Sequence, residues 1–356
     1  MGKISEKKIN EVKRAYANAE VYMLSRIKNE MIRDQSRDIM DWRREKEAKM
    51  KNIKKAIEKE FSRVTNRVEK DLEEVIAKAY VKGNNKTLLE LAEYDESVKK
   101  QIKDLRVSLD TDAKPRAITA LINEQVDFIQ KGNHQILRRF DDVYRQVVAE
   151  TVSLVNTGVA TRREATQQTL NKFARRGVAS FIDKSGRSWD MASYAEMATR
   201  TAYNNAQLQG SSERLKENDH DLVITSSHPD SCEMCEPHQG EIFSLEGISN
   251  KYPALSSVTG EIFHPNCRHT YNAYFEGITK KPDKKADPQK YKDRQKQRYN
   301  ERQIRNWKKR EAVAITDKEK IKSKNKISQW QKAQRDHVKQ TNLSRKYERE
   351  QVKGAR

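Results

Sequence analysis

Apolar residues recur at steps of three and four through the first part of the chain, the spacing of a helix with one buried face. Ile57, Phe61, Val64, Val68, Leu72, Val75 and Ala79 form a narrow seam, and Ile9, Val12, Tyr16, Met23 and Ile27 form a sparser one ahead of it. The pattern predicts helix from Lys7 to Lys82, a break at Gly83-Asn84-Asn85, and a restart at Thr87 running to about Leu105. Pro115 is suited to open the next helix, which should end at Gly132 with Ile118, Leu121, Ile122, Val126 and Ile129 inward. Residues His134 to Asn156 carry the widest apolar face of the chain, including Ile136, Phe140, Tyr144, Val147 and Val148. They are expected at the centre of the helical core. Thr161-Arg162-Arg163-Glu164 reads as a capping box, and its helix should stop at Gly177.

Beyond this point the period changes. Val178 to Ile182 with the Ser185-Gly186 turn suggests a short hairpin, and Asp190 a helix N-cap. The helix that follows, Met191 to Gln209, carries Arg200, Asn204 and Asn205, expected to hydrogen-bond to nearby loops. Asp221 to Thr225, Glu241-Ile242-Phe243 and Glu261-Ile262-Phe263 read as three short strands of one small sheet. After Gly277 the sequence is rich in Lys and Arg, with widely spaced Tyr299, Ile304, Trp307, Trp330 and Val338, so it has little apolar core of its own.

Few helix breakers (12 Gly and 7 Pro in 356 residues) and 35% charged residues favour long helices. The fold class expected is mainly α. An elongated helical body over residues 1–110 leads to a helical core over 111–177. A small α+β Cys/His module of zinc type over 178–277 and a basic, partly helical or disordered arm over 278–356 complete it. No apolar run approaches the ~20 residues that span a bilayer. The start, MGKISEKKIN, lacks a signal-peptide core, and Glu6 stands where myristoylation needs Ser or Thr. A soluble protein made in the cytoplasm is expected.

The net charge of +20 is unevenly spread. Residues 279–356 hold 27 Lys+Arg against 10 Asp+Glu, and the other 278 residues hold 45 against 42. A polyanion is the natural partner for that segment. Arg294, Lys296, Arg298, Arg302, Arg305, Lys308, Lys309 and Arg310 are the candidate contacts to nucleic-acid phosphates, and interleaved Tyr and Trp also suit stacking on single strands.

All three cysteines (Cys232, Cys235 and Cys267) and four of the seven histidines (His228, His238, His264 and His269) fall between Ser226 and Thr270. The pattern is C-x2-C, then C-x-H after 31 intervening residues, each cluster set in turn chemistry. Two tight turns that each aim two donors at one point build a tetrahedral Zn²⁺ site, and mixed thiolate and imidazole donors suit zinc. Cys232, Cys235, Cys267 and His269 are the expected ligands, with His264, His228 and His238 as alternates for the fourth place. An odd cysteine count argues against a Cys232–Cys235 disulfide. The bland alternative is three inert thiols with turn-capping histidines.

The residues His228, Cys232, Cys235, His238, Gly240 and His264-Pro265-Asn266-Cys267-Arg268-His269, with the YPALSS segment and the helix GRSWDMASYAEMATRTAYNNAQ before them, carry a resemblance. The stretch from Val178 to Phe275 resembles the minor capsid protein family of tailed phages of Gram-positive bacteria, itself similar to the Mu F-like head morphogenesis proteins. The first 177 residues share only helical character with that family, and the segment after Gly277 matches no motif. The resemblance implies a structural virion protein in few copies, at or near the portal inside the capsid. Portal and major capsid proteins and packaged DNA would be its partners, with self-association left open, and it would have no catalytic role. Two other classes remain. One is a metal-dependent nuclease, with His264 or His269 and Glu261 acting beside the ion as in His-Asn-His loops; no separate carboxylate cluster for Mg²⁺ accompanies it. The other is a cellular nucleic-acid-binding protein with a zinc ribbon, which the acidic module (Asp230, Glu233, Glu236, Glu241, Glu246) disfavours.

Overall fold

The computed structural model describes residues 3–33, 38–100, 102, 116–176, 180–182, 188–282 and 286–352. Its α-helices are α1 (Lys3–Met31), α2 (Ile39–Tyr94), α3 (Glu96–Lys100), α4 (Arg116–Asn156), α5 (Arg162–Arg176), α6 (Met191–Lys216), α7 (Pro288–Ala312) and α8 (Asp317–Thr341). Five short strands accompany them: β1 (Ser180–Ile182), β2 (Ser188–Asp190), β3 (Leu222–Thr225), β4 (Ile242–Ser244) and β5 (Tyr271–Ala273). The mainly helical class and the small sheet agree with the sequence pattern. Pro115, Gly177 and the Ser185-Gly186 turn lie outside the described residues. The chain forms two compact units, each drawn from three stretches: 1–9, 69–127 and 197–294 in the first, 10–68, 128–196 and 295–356 in the second.

In the first unit, the C-terminal part of α2 is crossed by α6. Here the expected break at Gly83-Asn84-Asn85 does not occur, and α2 runs on unbroken to Tyr94. Glycine costs a helix about 1 kcal/mol relative to alanine, and tertiary contact outweighs it. A Cβ on Gly83 would lie 2.0 Å from the Gln207 carbonyl oxygen, and one on Gly210 would lie 2.2 Å from that of Tyr80. Two glycines, one on each helix, therefore let the backbones touch. Polar bonds lock the crossing: Arg214 donates to Asn84 Oδ1 at 3.0 and 2.8 Å, and Ser211 Oγ donates to the Gly83 carbonyl at 3.2 Å. Around it pack Val75, Ile76, Ala79 and Tyr80 of α2, Ile118 and Ile122 of α4, and Ala202, Tyr203 and Ala206 of α6.

The sheet of this unit is antiparallel in the order β4-β3-β5, with Val223 opposite Phe243 on one side and Ala273 on the other. Val223, Phe243, Tyr271 and Ala273 bury one face against Leu88, Leu91, Val98 and Leu215. β3 and β4 fall where the alternation put them. Glu261-Ile262-Phe263 does not form the third strand; that place is taken by Tyr271–Ala273. Ile262 amide bonds to the Val258 carbonyl at 3.0 Å in a turn, and Phe263 is left-handed at φ +66°, which ends any extended run.

The second unit holds the wide apolar face of α4, with Ile136, Phe140, Tyr144, Val147 and Val148 buried as expected. Val12, Tyr16, Met23 and Ile27 of α1 and Ile57, Phe61, Val64 and Val68 of α2 are buried too. The expected stop at Gly132 is absent, because α4 continues to Asn156. Asn133, next to that glycine, donates to Tyr16 Oη at 3.2 Å and to Thr65 Oγ1 at 2.5 Å, so one amide ties α4 to α1 and α2. The capping box at α5 is present in both directions: Glu164 N–H donates to Thr161 Oγ1 at 3.3 Å, and Thr161 N–H donates to Glu164 Oε2 at 3.0 Å. Asp190 caps α6 by accepting from Ser193 N–H at 2.9 Å.

The basic C-terminal segment is helical, as α7 and α8, and what α7 buries is largely polar: Gln297, Asn300, Glu301, Arg305 and Lys309, with Ile304. Lys309 pairs with Glu20 at 2.5 Å and Asp190 at 3.0 Å. Arg349 pairs with Glu196 at 2.6 Å and Glu301 at 2.8 Å, and Lys13 meets Glu196 at 2.5 Å. Buried charges of this kind persist only when each finds its counterpart. Apolar counting understated how much of this segment is packed, because ion pairs do the work that aliphatic side chains do elsewhere.

Candidate metal centre

Two loops at one end of the three-stranded sheet carry the donors. The first leaves β3 after Thr225 and folds into a tight turn, with the Cys235 and Glu236 amides bonding to the Cys232 carbonyl at 3.1 and 3.0 Å. It closes at Gly240, which is left-handed at φ +61° and returns its amide to the Thr225 carbonyl at 3.1 Å. The second loop turns at Pro265-Asn266. Asn266 has φ +68°, a conformation asparagine tolerates, and the Cys267 amide bonds to the His264 carbonyl at 2.8 Å. Ser226 joins the loops: its amide donates to the Thr270 carbonyl at 2.7 Å, and the Thr270 amide donates to its Oγ at 3.0 Å. Helix α6 holds the second loop, since Asn204 Nδ2 donates to the His269 carbonyl at 3.0 Å and Thr201 Oγ1 accepts the Asn266 amide at 3.2 Å. Asn204 thus plays the loop-binding part expected of it. Arg200 forms a two-pronged pair with Glu6 at 2.8 and 3.1 Å.

The loops bring five donors together in two overlapping triads, Cys232–Cys235–His264 and Cys235–Cys267–His269, the ligand atoms of each within 4.8 Å of one another. Cys235 and Cys267 sulfurs are 3.6 Å apart. Cys232 Sγ lies 3.2 Å from His264 Nε2, and Cys267 Sγ lies 3.3 Å from His269 Nδ1. Donors on a tetrahedral zinc, at about 2.3 Å for sulfur and 2.0 Å for nitrogen, stand roughly 3.3–3.8 Å from each other. The separations within each triad are of that size, so each triad could hold a metal ion; Cys232 and Cys267 fall in different triads that share Cys235. All three cysteines are free thiols.

Each histidine of the cluster has its second nitrogen anchored, the arrangement that fixes a ligating tautomer. His264 Nδ1 is 2.9 Å from the Pro265 carbonyl, and His269 Nε2 is 3.0 Å from Gln239 Oε1. Gln239 Oε1 also accepts the His228 amide at 2.6 Å, and the side chain is buried. Motif spacing identifies no role for Gln239; only its place beside His238 in the first loop hints at one. The other two alternates stand apart from the triads. His238 Nε2 faces Glu261 at 2.7 Å, and His228 lies edge-on to the His269 ring with centroids 4.8 Å apart.

The thiols are unequal. Hydrogen bonding from Cys235, then from His269, pulls Cys267 down to about 4, and the shared proton pushes Cys235 up. Burial opposes ionisation of Cys232, but bonds from the Cys235 amide and His264 outweigh it and lower its pKa. Burial likewise opposes charging His264, and the bond to Cys232 raises it nonetheless. Cys232 and Cys267 are thus biased towards thiolate, the form in which a cysteine binds metal, while Cys235 keeps its proton.

The cations expected at nucleic acid are placed very differently from one another. Arg305 and Lys309 are buried, Arg305 donating to the Arg349 carbonyl at 2.6 Å. Arg294 pairs with Asp230, Lys308 donates to the Glu350 carbonyl at 2.9 Å, and Arg310 stacks 4.0 Å above the Trp307 ring. Arg298 is half-buried, and Lys296 and Arg302 are exposed.

No helix among the described residues is long and apolar enough to cross a membrane. No curated protein and no solved structure matches the chain. A sequence model described as phage minor capsid protein 2 matches residues 5–339, well beyond the stretch that carries the motifs. The helical body, the Cys/His loops and most of the basic segment are therefore parts of one family architecture, and the chain belongs to the phage minor capsid protein 2 family.

Proposed function

We propose that this minor capsid protein is a structural component of the phage head, sited inside the capsid at or near the portal. There it aids head assembly beside portal and major capsid proteins and touches packaged DNA through its basic C-terminal segment. The observation that carries the reading is the family match over residues 5–339, joined to a cationic excess concentrated after residue 278. Zinc is the proposed ion of the Cys/His cluster, held by Cys232, Cys235, Cys267 and one histidine, His269 or His264. Three thiolates and an imidazole fill a tetrahedral shell and leave no position for a reactive water, so the ion acts as a staple for loops with little apolar core. This is the reading that favours a structural role over a nuclease.

The test is to purify intact particles and particles emptied of DNA, and to measure the protein in each by quantitative mass spectrometry with crosslinking. A low copy number with crosslinks to the portal protein is expected. Absence from intact particles would overturn the reading. Cleavage of plasmid DNA by the purified zinc-loaded chain, lost in His264→Ala, would revive the nuclease.

A further inference from the structure

The geometry points to α8, rather than α7, as the surface that meets DNA; this rests on the proposed DNA contact and says where it is made. The face of α8 turned inward is set by Ser323 and Gln334, both fully buried, and by Trp330, whose ring meets that of Tyr299 edge-on at 5.6 Å. Outward go Lys318, Lys320, Lys322, Lys324, Lys332, Arg335 and Lys339, all exposed. The exposed acids on the helix are Asp317 and Asp336. Among the described residues the ion pair these cations make is Lys322 with Glu319, at 3.6 Å. The contrast with α7 is physical: there Arg305 and Lys309 are buried, Arg294, Lys308 and Arg310 are engaged by neighbours, and Lys290, Lys292, Lys296 and Arg302 are exposed, whereas on α8 seven cations are left to solvent.

At about 100° per residue, Lys318, Lys322, Lys324, Lys332, Arg335 and Lys339 fall within an arc of roughly 160°. From Lys318 to Lys339 the helix rises about 32 Å, close to one turn of B-form DNA. Such a row has the length and the charge to lie along phosphates. An acidic protein partner fits less well. A stable protein interface centres on buried aromatic or aliphatic anchors, and the large apolar side chain exposed on α8 is Ile321 alone. Lysine point charges without a base-reading fold imply binding that ignores sequence.

The experiment uses the full chain and a fluorescein-labelled 30-base-pair duplex of random sequence, with anisotropy followed over a range of NaCl. Replacing Lys318, Lys322, Lys324 and Lys332 by Gln should weaken binding at least tenfold at 0.1 M salt. It should also flatten the dependence of log K on log salt by about three to four, since each lost phosphate contact removes roughly 0.9. Unchanged tryptophan fluorescence would confirm that the variant is folded. If that variant binds like the parent while Lys296→Gln/Arg302→Gln loses binding, the assignment to α8 is overturned and the DNA reading stands. If the parent shows no salt-sensitive binding, both fall. Polyglutamate displacing the duplex at lower charge concentration than unlabelled DNA would also overturn it, in favour of an acidic protein.

Discussion

Gly83 on α2 and Gln207 on α6 meet backbone to backbone: a methyl group on the glycine would sit 2.0 Å from the Gln207 carbonyl oxygen. The contact matters beyond the crossing itself. Three residues before Gln207, Asn204 of the same helix holds the His269 carbonyl, so the seating of α6 is inherited by the Cys/His loops.

Gly83→Ala should therefore destabilise the first unit by about 3 kcal/mol, since an added methyl in a close-packed crossing forces the backbones apart. It should also weaken metal retention. Chemical denaturation with proteolysis of the Cys/His loops measures both. A fully stable variant that retains metal would show that α6 can shift without cost.

All four tryptophans (Trp42, Trp189, Trp307 and Trp330) belong to the second unit, which gives it a private reporter. Chelating the metal should open residues 226–270 to protease and leave tryptophan fluorescence unchanged. Cys235→Ser and Cys267→Ser should abolish zinc binding. Of His264→Ala and His269→Ala, the one that loses it names the fourth ligand. Gln239→Ala should weaken affinity about tenfold by freeing the His269 ring. Zinc stoichiometry by mass spectrometry reads all five; identical proteolysis with and without chelator would remove the ion from the account.

Lys13 sets a pH dependence in the second unit. Burial and the nearby Arg305 depress its pKa to about 7 despite Glu196, and Arg349 already neutralises that carboxylate, so the Lys13 proton is dispensable. In the unfolded chain the same amine keeps its proton to about 10.4. Between these values the unfolded state binds more protons, and stability must rise with pH. From pH 7.5 to 9 the gain should be about 1–2 kcal/mol by tryptophan-monitored urea unfolding. Lys309, whose pKa is raised by Asp190 and Glu20 against its burial, acts only above that window. A slope that survives in Lys13→Met would assign the effect to another group.

The capping box is the simplest local test. Thr161→Ala should lower the stability of the second unit by about 1 kcal/mol, because α5 loses the acceptor for its Glu164 amide. The same tryptophan signal measures it, and a neutral result would mean that water caps the helix equally well.

Local chemistry made much of this protein legible. The apolar seams marked the helical stretches, because a buried stripe must repeat with the turn of the backbone, but they missed the break that ends α1 at Met31 before α2 starts at Ile39. The Cys and His spacing placed the two donor loops for a similar reason: two short turns can only aim donors within their own reach. Asp190 and Thr161 declared themselves as caps, since a cap is decided within three residues. What the chain alone left open involves partners distant in sequence. Gly83 and Gly132 look like breaks until α6 and the Tyr16–Thr65 pair are in place, because a local cost near 1 kcal/mol is smaller than the tertiary contacts that repay it. The third strand is Tyr271–Ala273 rather than Glu261–Phe263 because β3 selects its neighbour by register. Which cations after residue 278 face water was decided by carboxylates at Glu20, Asp190 and Glu196, more than a hundred residues upstream, since a charge enters a protein interior only where its opposite is already waiting.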